Sequence, residues 1–211
     1  MTAIKLCGFR READIELAGE LGVNAVGFVM WPGSPRAVPV DAVRRLARRL
    51  PPLVTPVGVF VEPTLEDLRS AVELAGIRVA QVHGAVGEHV LAGAPCPVIR
   101  AVSLRDGAGA RPVDALLLLD AHDPARHGGT GTTIDWHAAA AVAATRRVLL
   151  AGGLTPDNVT DAIRAARPWG VDVASGIESA PGVKDAVRMR AFVAAVRMAG
   201  GPGGPPAGGR T

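Results

Sequence analysis

The chain contains no tyrosine, and its aromatic content is only 3%. Proteins that bind single-stranded nucleic acid stack successive bases on aromatic side chains, so this scarcity argues against a nucleic-acid partner. The charge balance agrees, because 23 Lys and Arg against 20 Asp and Glu leave a formal net charge of only +3. The basic residues are scattered over several segments, which favours small anionic molecules as partners.

Cysteine and long apolar runs are also scarce. Cys7 and Cys96 are the only two thiols, too few for a disulfide framework, and neither has the neighbouring ligands that a zinc site needs. No apolar run approaches the length of about 18 residues that a membrane span requires, and the first residues do not resemble a signal peptide. We therefore expect a soluble, unprocessed protein of the reducing cytoplasm, with no metal and no membrane partner.

The sequence does contain a repeated pattern of short apolar runs. Eight runs predict strands, at residues 4–7, 25–30, 57–61, 79–82, 98–102, 115–119, 148–151 and 171–174. Stretches of helical periodicity lie between most of them, at residues 12–21, 40–50, 65–75, 157–166 and 185–198. Alternating strands and helices predict parallel pairing, and eight units of about 25 residues fit an α/β fold of the (β/α)₈ TIM-barrel type better than an open sheet.

Local signals refine this barrel. Thr64, and Thr155 followed by Pro156, predict helix starts. Residues 103–112 contain several Gly and Pro, so the fifth helix is expected to be degenerate, a turn or a short helical piece. Residues 200–211 are rich in Gly and Pro and predict a disordered tail, which leaves a single barrel domain at residues 1–199.

The active site of a TIM barrel lies at the carboxyl ends of its strands. Polar and glycine residues follow the predicted strands at these ends: Cys7 and Gly8, residues 31–36, Gln81 and His83, Asp120, Gly152 and Gly153, and Ser175 and Gly176. We therefore expect these residues to surround one site.

An ordered series of motifs resembles the phosphoribosylanthranilate isomerase family. The first half of the chain carries Lys5-Leu6-Cys7-Gly8, Gly27-Phe28-Val29 with Ser34-Pro35-Arg36, Val57-Gly58-Val59-Phe60-Val61, and Gln81-Val82-His83-Gly84. The second half carries Leu118-Leu119-Asp120, Gly128-Gly129-Thr130-Gly131 with Asp135-Trp136, Ala151-Gly152-Gly153-Leu154, and Asp172-Val173-Ala174-Ser175-Gly176-Ile177-Glu178 with Pro181-Gly182 and Lys184-Asp185. No motif is specific alone, but their order is.

The resemblance implies an aldose–ketose isomerase of tryptophan biosynthesis. Its reaction is the Amadori rearrangement of N-(5-phosphoribosyl)anthranilate to 1-(2-carboxyphenylamino)-1-deoxyribulose 5-phosphate, by general acid–base catalysis without a cofactor. By motif, Asp120 is the general acid and Cys7 the general base. A free Asp titrates at about 3.9 and a free Cys at about 8.5, so each pKa must be adjusted. We expect apolar neighbours and an anionic substrate to raise the pKa of Asp120, and Lys5 to favour the Cys7 thiolate.

The remaining candidates bind the substrate or cover it. Backbone amides at the ends of strands 7 and 8 are expected to hold the phosphate: Gly152, Gly153, Ser175 and Gly176. Arg36 is expected to bind the anthranilate carboxylate through its guanidinium group. Gln81, His83 and Asp172 are candidates for substrate binding, with purely structural roles as their alternatives. The glycine-rich segment Gly128, Gly129, Thr130 and Gly131 is expected to form a lid.

Two departures from the family pattern keep rival functions open. Thr132 stands where the family commonly has Lys, and Phe9-Arg10-Arg11 replaces small residues after Gly8, both in loops expected to face the substrate. The alternatives are a divergent phosphate-binding barrel isomerase with another substrate, as on indole or histidine pathways, and a catalytically silent scaffold barrel. The sequence leaves the oligomeric state open between monomer and homodimer.

Overall fold

The computed structural model describes residues 1–107, 116–120 and 134–200. Eight parallel strands of this part form a closed barrel in chain order, with the last strand paired to the first. They are β1 (Ala3–Cys7), β2 (Ala25–Val29), β3 (Thr55–Val61), β4 (Val79–His83), β5 (Val98–Val102), β6 (Leu117–Leu119), β7 (Val148–Leu150) and β8 (Gly170–Val173). The predicted (β/α)₈ barrel is confirmed.

Helices follow the strands around the outside of the barrel. Those in the described part are α1 (Glu12–Glu20), α2 (Val40–Ala47), α3 (Leu65–Ala75), α4 (Glu88–Ala92), α5 (Leu104–Gly107), α6 (Trp136–Ala143), α7 (Val159–Ala166) and α8 (Ala186–Ala199). The four-residue α5 agrees with the short fifth helix that the Gly and Pro residues predict. Residues 201–211 of the predicted tail, and the predicted lid at Gly128–Gly131, lie outside the described residues.

Strand side chains alternate between two apolar layers. Leu118 and Leu149 pack inside the barrel with Val57 and Ile99, whereas Leu117 and Leu150 pack outward in the layer that includes the helices. A strand buried on both faces reads as an unbroken apolar run, which explains why residues 116–119 and 148–150 show no polar alternation. The alternation also assigns each strand-end residue to the inner or the outer face.

The two predicted helix starts have different outcomes. Thr64 caps α3 as expected, since its hydroxyl accepts from the amide of Asp67 and the Asp67 carboxylate accepts from the amide of Thr64. The predicted start at Thr155 and Pro156 was wrong by three residues, because α7 begins at Val159 after Asn158. The Asn158 side chain instead closes a turn, accepting from the Thr155 amide at 2.8 Å.

The connection between β8 and α8 contains structure that the apolar runs do not predict. A short 3₁₀ helix at Ser175–Ile177 is followed by two antiparallel strands, β9 (Glu178–Ala180) and β10 (Val183–Lys184). We call residues 178–184 the rim hairpin, because they follow the carboxyl end of β8. No helix in the described part of the chain is long and apolar enough to span a membrane.

Candidate active site at the carboxyl ends of the strands

Cys7 and Asp120, the two residues predicted to carry out acid–base chemistry, lie at the ends of β1 and β6. Each is the last of the side chains on its strand that face the barrel interior. Cys7 follows Lys5 by two positions on β1, and Asp120 follows Leu118 by two positions at the end of β6. Leu118 lies inside the barrel, so period-two alternation turns Asp120 inward as well. Because all eight strands are parallel, Cys7 and Asp120 face the interior at the same end of the barrel.

Cys7 is buried in an apolar pocket at this end. It packs with Val29 and Val59, and Trp31 and Ala174 lie against the same cluster. Burial raises the pKa of the Cys7 thiol, because a thiolate is poorly stabilised away from water. Lys5 acts in the opposite direction and is the strongest group that lowers this pKa. The predicted help from Lys5 is therefore present, although burial prevails in this state of the site.

Lys5 forms a buried ion pair with Asp172 directly below Cys7. The Lys5 Nζ donates to Asp172 Oδ1 at 2.8 Å, with side-chain exposures of 2% and 9%. Burial lowers the pKa of Lys5, but the Asp172 carboxylate and the Cys7 thiolate more than offset it, so the pKa is raised overall. The register pairs Lys5 with Asp172 across β1 and β8, which places a protonated amine and its counter-ion beneath the thiol.

Gln81 and His83 lie on the inner face of β4. Gln81 is buried, and its Nε2 lies 2.8 Å from His83 Nε2. Among the residues that the structure describes, the Gln81 Oε1 is a buried acceptor without a hydrogen-bond partner, and such an acceptor costs free energy unless a ligand or a water satisfies it. This pair therefore offers a polar contact to a molecule bound inside the end of the barrel.

Arg36 is held by a carboxylate of the rim hairpin. Its Nε and Nη2 donate to the two carboxylate oxygens of Glu178 at 2.9 and 2.7 Å. Burial raises the pKa of Glu178, but the hydrogen bonds from Arg36 and the charge of Lys184 outweigh burial, so the pKa is lowered overall. The Nη1 group of Arg36 makes no hydrogen bond within the described part of the chain, and it remains available for a second carboxylate.

Lys184 connects Glu178 to the ends of two barrel strands. It is buried, and its Nζ donates to Glu178 Oε1 at 2.8 Å, to the carbonyl of Ala174 at 3.1 Å and to the carbonyl of Cys7. Burial lowers the pKa of Lys184 and outweighs the opposing effect of Glu178, so the pKa is lowered overall. Three acceptors match the three protons of an ammonium group, so the contacts are those of a charged lysine.

The segment after Gly8 packs against the rim hairpin and the loop before Arg36. Phe9 is fully buried, and its ring lies 5.5 Å from Lys184 Nζ. Arg10 donates to the carbonyl of Pro35 at 3.0 Å, and Arg11 donates to the carbonyl of Lys184 at 2.7 Å. These three residues therefore pack against the rim hairpin and the loop before Arg36, and the expectation that their loop faces a bound substrate stays a prediction.

The predicted phosphate-binding residues lie on adjacent loops. Gly152 and Gly153 both have positive φ, 81° and 62°, which only glycine adopts at low cost. A side chain on Gly176 would collide with the backbone carbonyl of Leu154, so the loops after β7 and β8 are in direct contact. Ser175 and Gly176 are the first two residues of the 3₁₀ helix that precedes the rim hairpin. Glycine loops of this kind, next to the first turn of a helix, can bring backbone amides close to an anion.

Two contributors to the site had no assigned role in the sequence prediction. Glu178 and Lys184 were noted only as parts of a motif. Glu178 lies 142 residues from its partner Arg36, and Lys184 lies 177 residues from Cys7. Local patterns carry no information about such contacts. Thr132 lies outside the described residues, within which His, Cys, Asp and Glu form no cluster that could hold a metal ion.

Comparison with known proteins adds names to this geometry. Residues 4–195 match the family model described as N-(5′-phosphoribosyl)anthranilate isomerase. A relative of that name from Pelobacter propionicus is 41% identical over 197 residues, covering 92% of this chain and 94% of its own length. The phosphoribosyl anthranilate isomerase structure from Thermus thermophilus is 37% identical, with a TM-score of 0.84 over 93% of this chain and 99% of that one.

A further structure of the same enzyme is a complex with reduced 1-(o-carboxyphenylamino)-1-deoxyribulose 5-phosphate. It is 31% identical, with a TM-score of 0.83, and the alignment covers 94% of this chain and all of that one. The family model and the relatives span the barrel from β1 into α8. The chain belongs to the N-(5′-phosphoribosyl)anthranilate isomerase family.

Proposed function

We propose that this chain catalyses the Amadori rearrangement of N-(5′-phosphoribosyl)anthranilate in tryptophan biosynthesis, with Cys7 as general base and Asp120 as general acid. Family membership over residues 4–195 supports the reaction. The observation that carries the assignment is the placement of both residues on the inner face at one end of a parallel barrel. No other function is favoured by a specific contact in the described residues.

The acid step begins at the ribose ring. Asp120 protonates the ring oxygen, the ring opens to a Schiff base, and Cys7 then removes the proton from C2′ to give the enolamine, which tautomerises to the ketose. Asp120 is half-buried at the end of β6, after the apolar Leu118–Leu119 pair. To act as the acid it must carry a proton, and a bound phosphate at this end of the barrel favours the protonated form of a nearby carboxyl group.

The base must lose its proton although burial opposes this. Lys5 and Lys184 both act to lower the pKa of Cys7, whereas Asp172 acts to raise it. A thiol with a pKa above ambient pH is a strong base in the fraction that is ionised. The two lysines therefore limit the cost of forming the thiolate.

The other candidates hold the substrate between these two groups. Arg36 binds the anthranilate carboxylate through the donors that Glu178 leaves unused, and Gln81 Oε1 accepts from the substrate. The amides of Gly152, Gly153, Ser175 and Gly176 bind the phosphate. His83 orients Gln81, and Asp172 acts through Lys5 rather than by direct contact. Gly128–Gly131 closes over the substrate as a lid.

Steady-state turnover tests the function. Phosphoribosylanthranilate should be converted by the unaltered chain, and Cys7→Ala or Asp120→Ala should abolish turnover while substrate affinity changes little, because each group acts mainly in the transition state. The exposed Arg190→Met, which loses only a surface ion pair with Glu20, is the matched control. Full activity in either alanine variant contradicts its role, and a well-folded but inactive unaltered chain favours the scaffold alternative.

The setting of the enzyme is part of the proposal. We expect the chain to work in the cytoplasm on a small phosphorylated substrate, as a monomer or a homodimer. Complementation of an isomerase-deficient tryptophan auxotroph tests the pathway, and light scattering of the purified protein separates the two oligomeric states.

A further inference from the structure

A buried lysine at the edge of the site calls for an explanation. The Lys184 side chain is 0% exposed in its ion pair with Glu178, and burial of an ammonium group is costly unless every proton finds an acceptor. All three do, at Glu178 and at the carbonyls of Cys7 and Ala174. A purely packing role would be met by Met at lower cost, so the charge itself is the feature to explain.

The acceptors of Lys184 lie where the acid–base chemistry is assigned. One is the carbonyl of Cys7, the residue that carries the thiol, and another is the carbonyl of Ala174, which directly follows β8. Lys184 therefore ties together the ends of β1 and β8 beside Cys7. A side chain on Gly8 would lie 2.8 Å from Arg36 Cδ and 3.5 Å from Lys184 Nζ, so the three residues are in contact.

The third acceptor extends the connection to Arg36. Glu178 uses both carboxylate oxygens on Arg36 and shares Oε1 with Lys184. A bidentate pair fixes the plane of a guanidinium group, so Glu178 sets the direction in which Arg36 presents its remaining donors. Arg188 donates to the carbonyl of Glu178 and Arg11 to that of Lys184, which fastens the hairpin that carries both residues.

We propose that Lys184 is a positioning residue of the active site, acting on Cys7 through its carbonyl and on Arg36 through Glu178. The inference rests on the proposed roles of Cys7 and Arg36. The rim hairpin is then a device that aligns the base and the carboxylate-binding group with each other. Neither Lys184 nor Glu178 touches the reacting atoms.

The thiol titration gives a readout that a merely structural role would not move. The charged groups around Cys7 are Lys5 on β1, Asp172 on β8 and Lys184 on β10, with Arg36 and Glu178 behind Lys184. Loss of Lys184 removes a group that lowers the pKa of Cys7, so the titration should move to higher pH. Cys96→Ala leaves Cys7 as the only thiol, and the absence of tyrosine keeps the ultraviolet thiolate signal free of tyrosinate.

The variants are made in the Cys96→Ala chain, with Arg190→Met as the control. Lys184→Met should lower kcat by at least about tenfold, the worth of a charge-assisted hydrogen bond, with a smaller change in KM. Lys184→Arg should recover part of kcat. Glu178→Gln should instead raise the KM for phosphoribosylanthranilate by about tenfold, because Arg36 loses its orienting partner.

The proposal is contradicted if Lys184→Met leaves both kcat and the Cys7 titration unchanged. Should that variant fail to fold, Lys184→Met with Glu178→Gln removes both charges and keeps an amide oxygen that can accept from Arg36. This double variant must also shift the titration and lower kcat, and unchanged values there overturn the proposal. Lack of turnover in the unaltered chain would refute the proposed function alone, since the thiol titration uses no substrate and still decides whether Lys184 acts on Cys7.

Discussion

At the scale of single residues, the site is a set of charges kept in an apolar interior by close partners. Lys5 with Asp172 and Lys184 with Glu178 are buried ion pairs whose N–O distances are both 2.8 Å. Both lysines contact the surroundings of Cys7 from different sides, one below it on the same strand and one at its carbonyl. The pKa of the Cys7 thiol therefore depends on Lys5 and Lys184, to which the proposed mechanism assigns no proton transfer.

The Lys5–Asp172 pair gives the first residue-scale prediction. Lys5→Met leaves the Asp172 carboxylate buried without its counter-ion, which should lower the free energy of unfolding by about 3–5 kcal/mol. Lys5→Met with Asp172→Leu removes both charges and should recover most of this loss. Urea unfolding of the two variants measures the difference, and equal losses would contradict the prediction.

The same double variant should separate stability from acid–base function. Lys5 lowers the pKa of Cys7 more strongly than Asp172 raises it, so removal of both groups should still move the thiol titration to higher pH. The expected combination is near-normal stability with an impaired base. A thiol titration identical to that of the unaltered chain would show that the pair is structural only.

At the scale of elements, sequence patterns predict the strands and helices that depend on interactions between residues close together in the chain. The inner and outer apolar layers make 116–119 and 148–151 readable as strands, and the Gly and Pro residues near 103–112 explain the short α5. The start of α7 was misplaced because Thr155 and Pro156 suit a turn as well as a helix start. The rim hairpin and its contacts to β1 and to the loop after β2 depend on partners more than 140 residues away, beyond any local pattern.

The contact between the β7 and β8 loops gives the element-scale prediction. Gly176→Ala places a methyl group against the Leu154 carbonyl, so backbone must move, and we expect a large rise in KM together with lower stability. Gly76→Ala is the matched control, since Gly76 has φ 74° but open space around it. It should cost about 1–2 kcal/mol from its backbone conformation and leave KM unchanged. Similar KM values for both variants would contradict this reading.

At the scale of the whole molecule, the ion pairs around Cys7 gather on one side of the barrel. Lys5 and Asp172 lie on β1 and β8, Lys184 and Glu178 on the rim hairpin after β8, and Arg36 on the loop after β2. In the described residues, the opposite wall at β5, β6 and β7 has the apolar interior of Ile99, Leu118 and Leu149. Cys7 and Arg36 thus lie at one wall of the barrel, and Asp120 ends a strand of the other.

This arrangement predicts how stability depends on pH. The pKa of Glu178 is lower in the folded chain than in the unfolded one, so its contribution is complete above the ordinary carboxyl pKa of about 4.3 and is lost as pH falls through the folded value. The temperature of thermal unfolding should therefore fall as the pH is lowered below that value. In Glu178→Gln the unfolding temperature should depend less on pH in the acidic range than in the unaltered chain. An unchanged dependence would show that other groups cause the loss of stability in acid.

The bridge from Lys184 to the carbonyl of Cys7 spans 177 positions. During synthesis on the ribosome, Cys7 is therefore made before the amine that contacts its carbonyl. The contact can form only after residue 184 has been added, when β8 is already available to pair with β1 and close the barrel. Barrel closure and the anchoring of Cys7 by Lys184 thus belong to the same stage of folding.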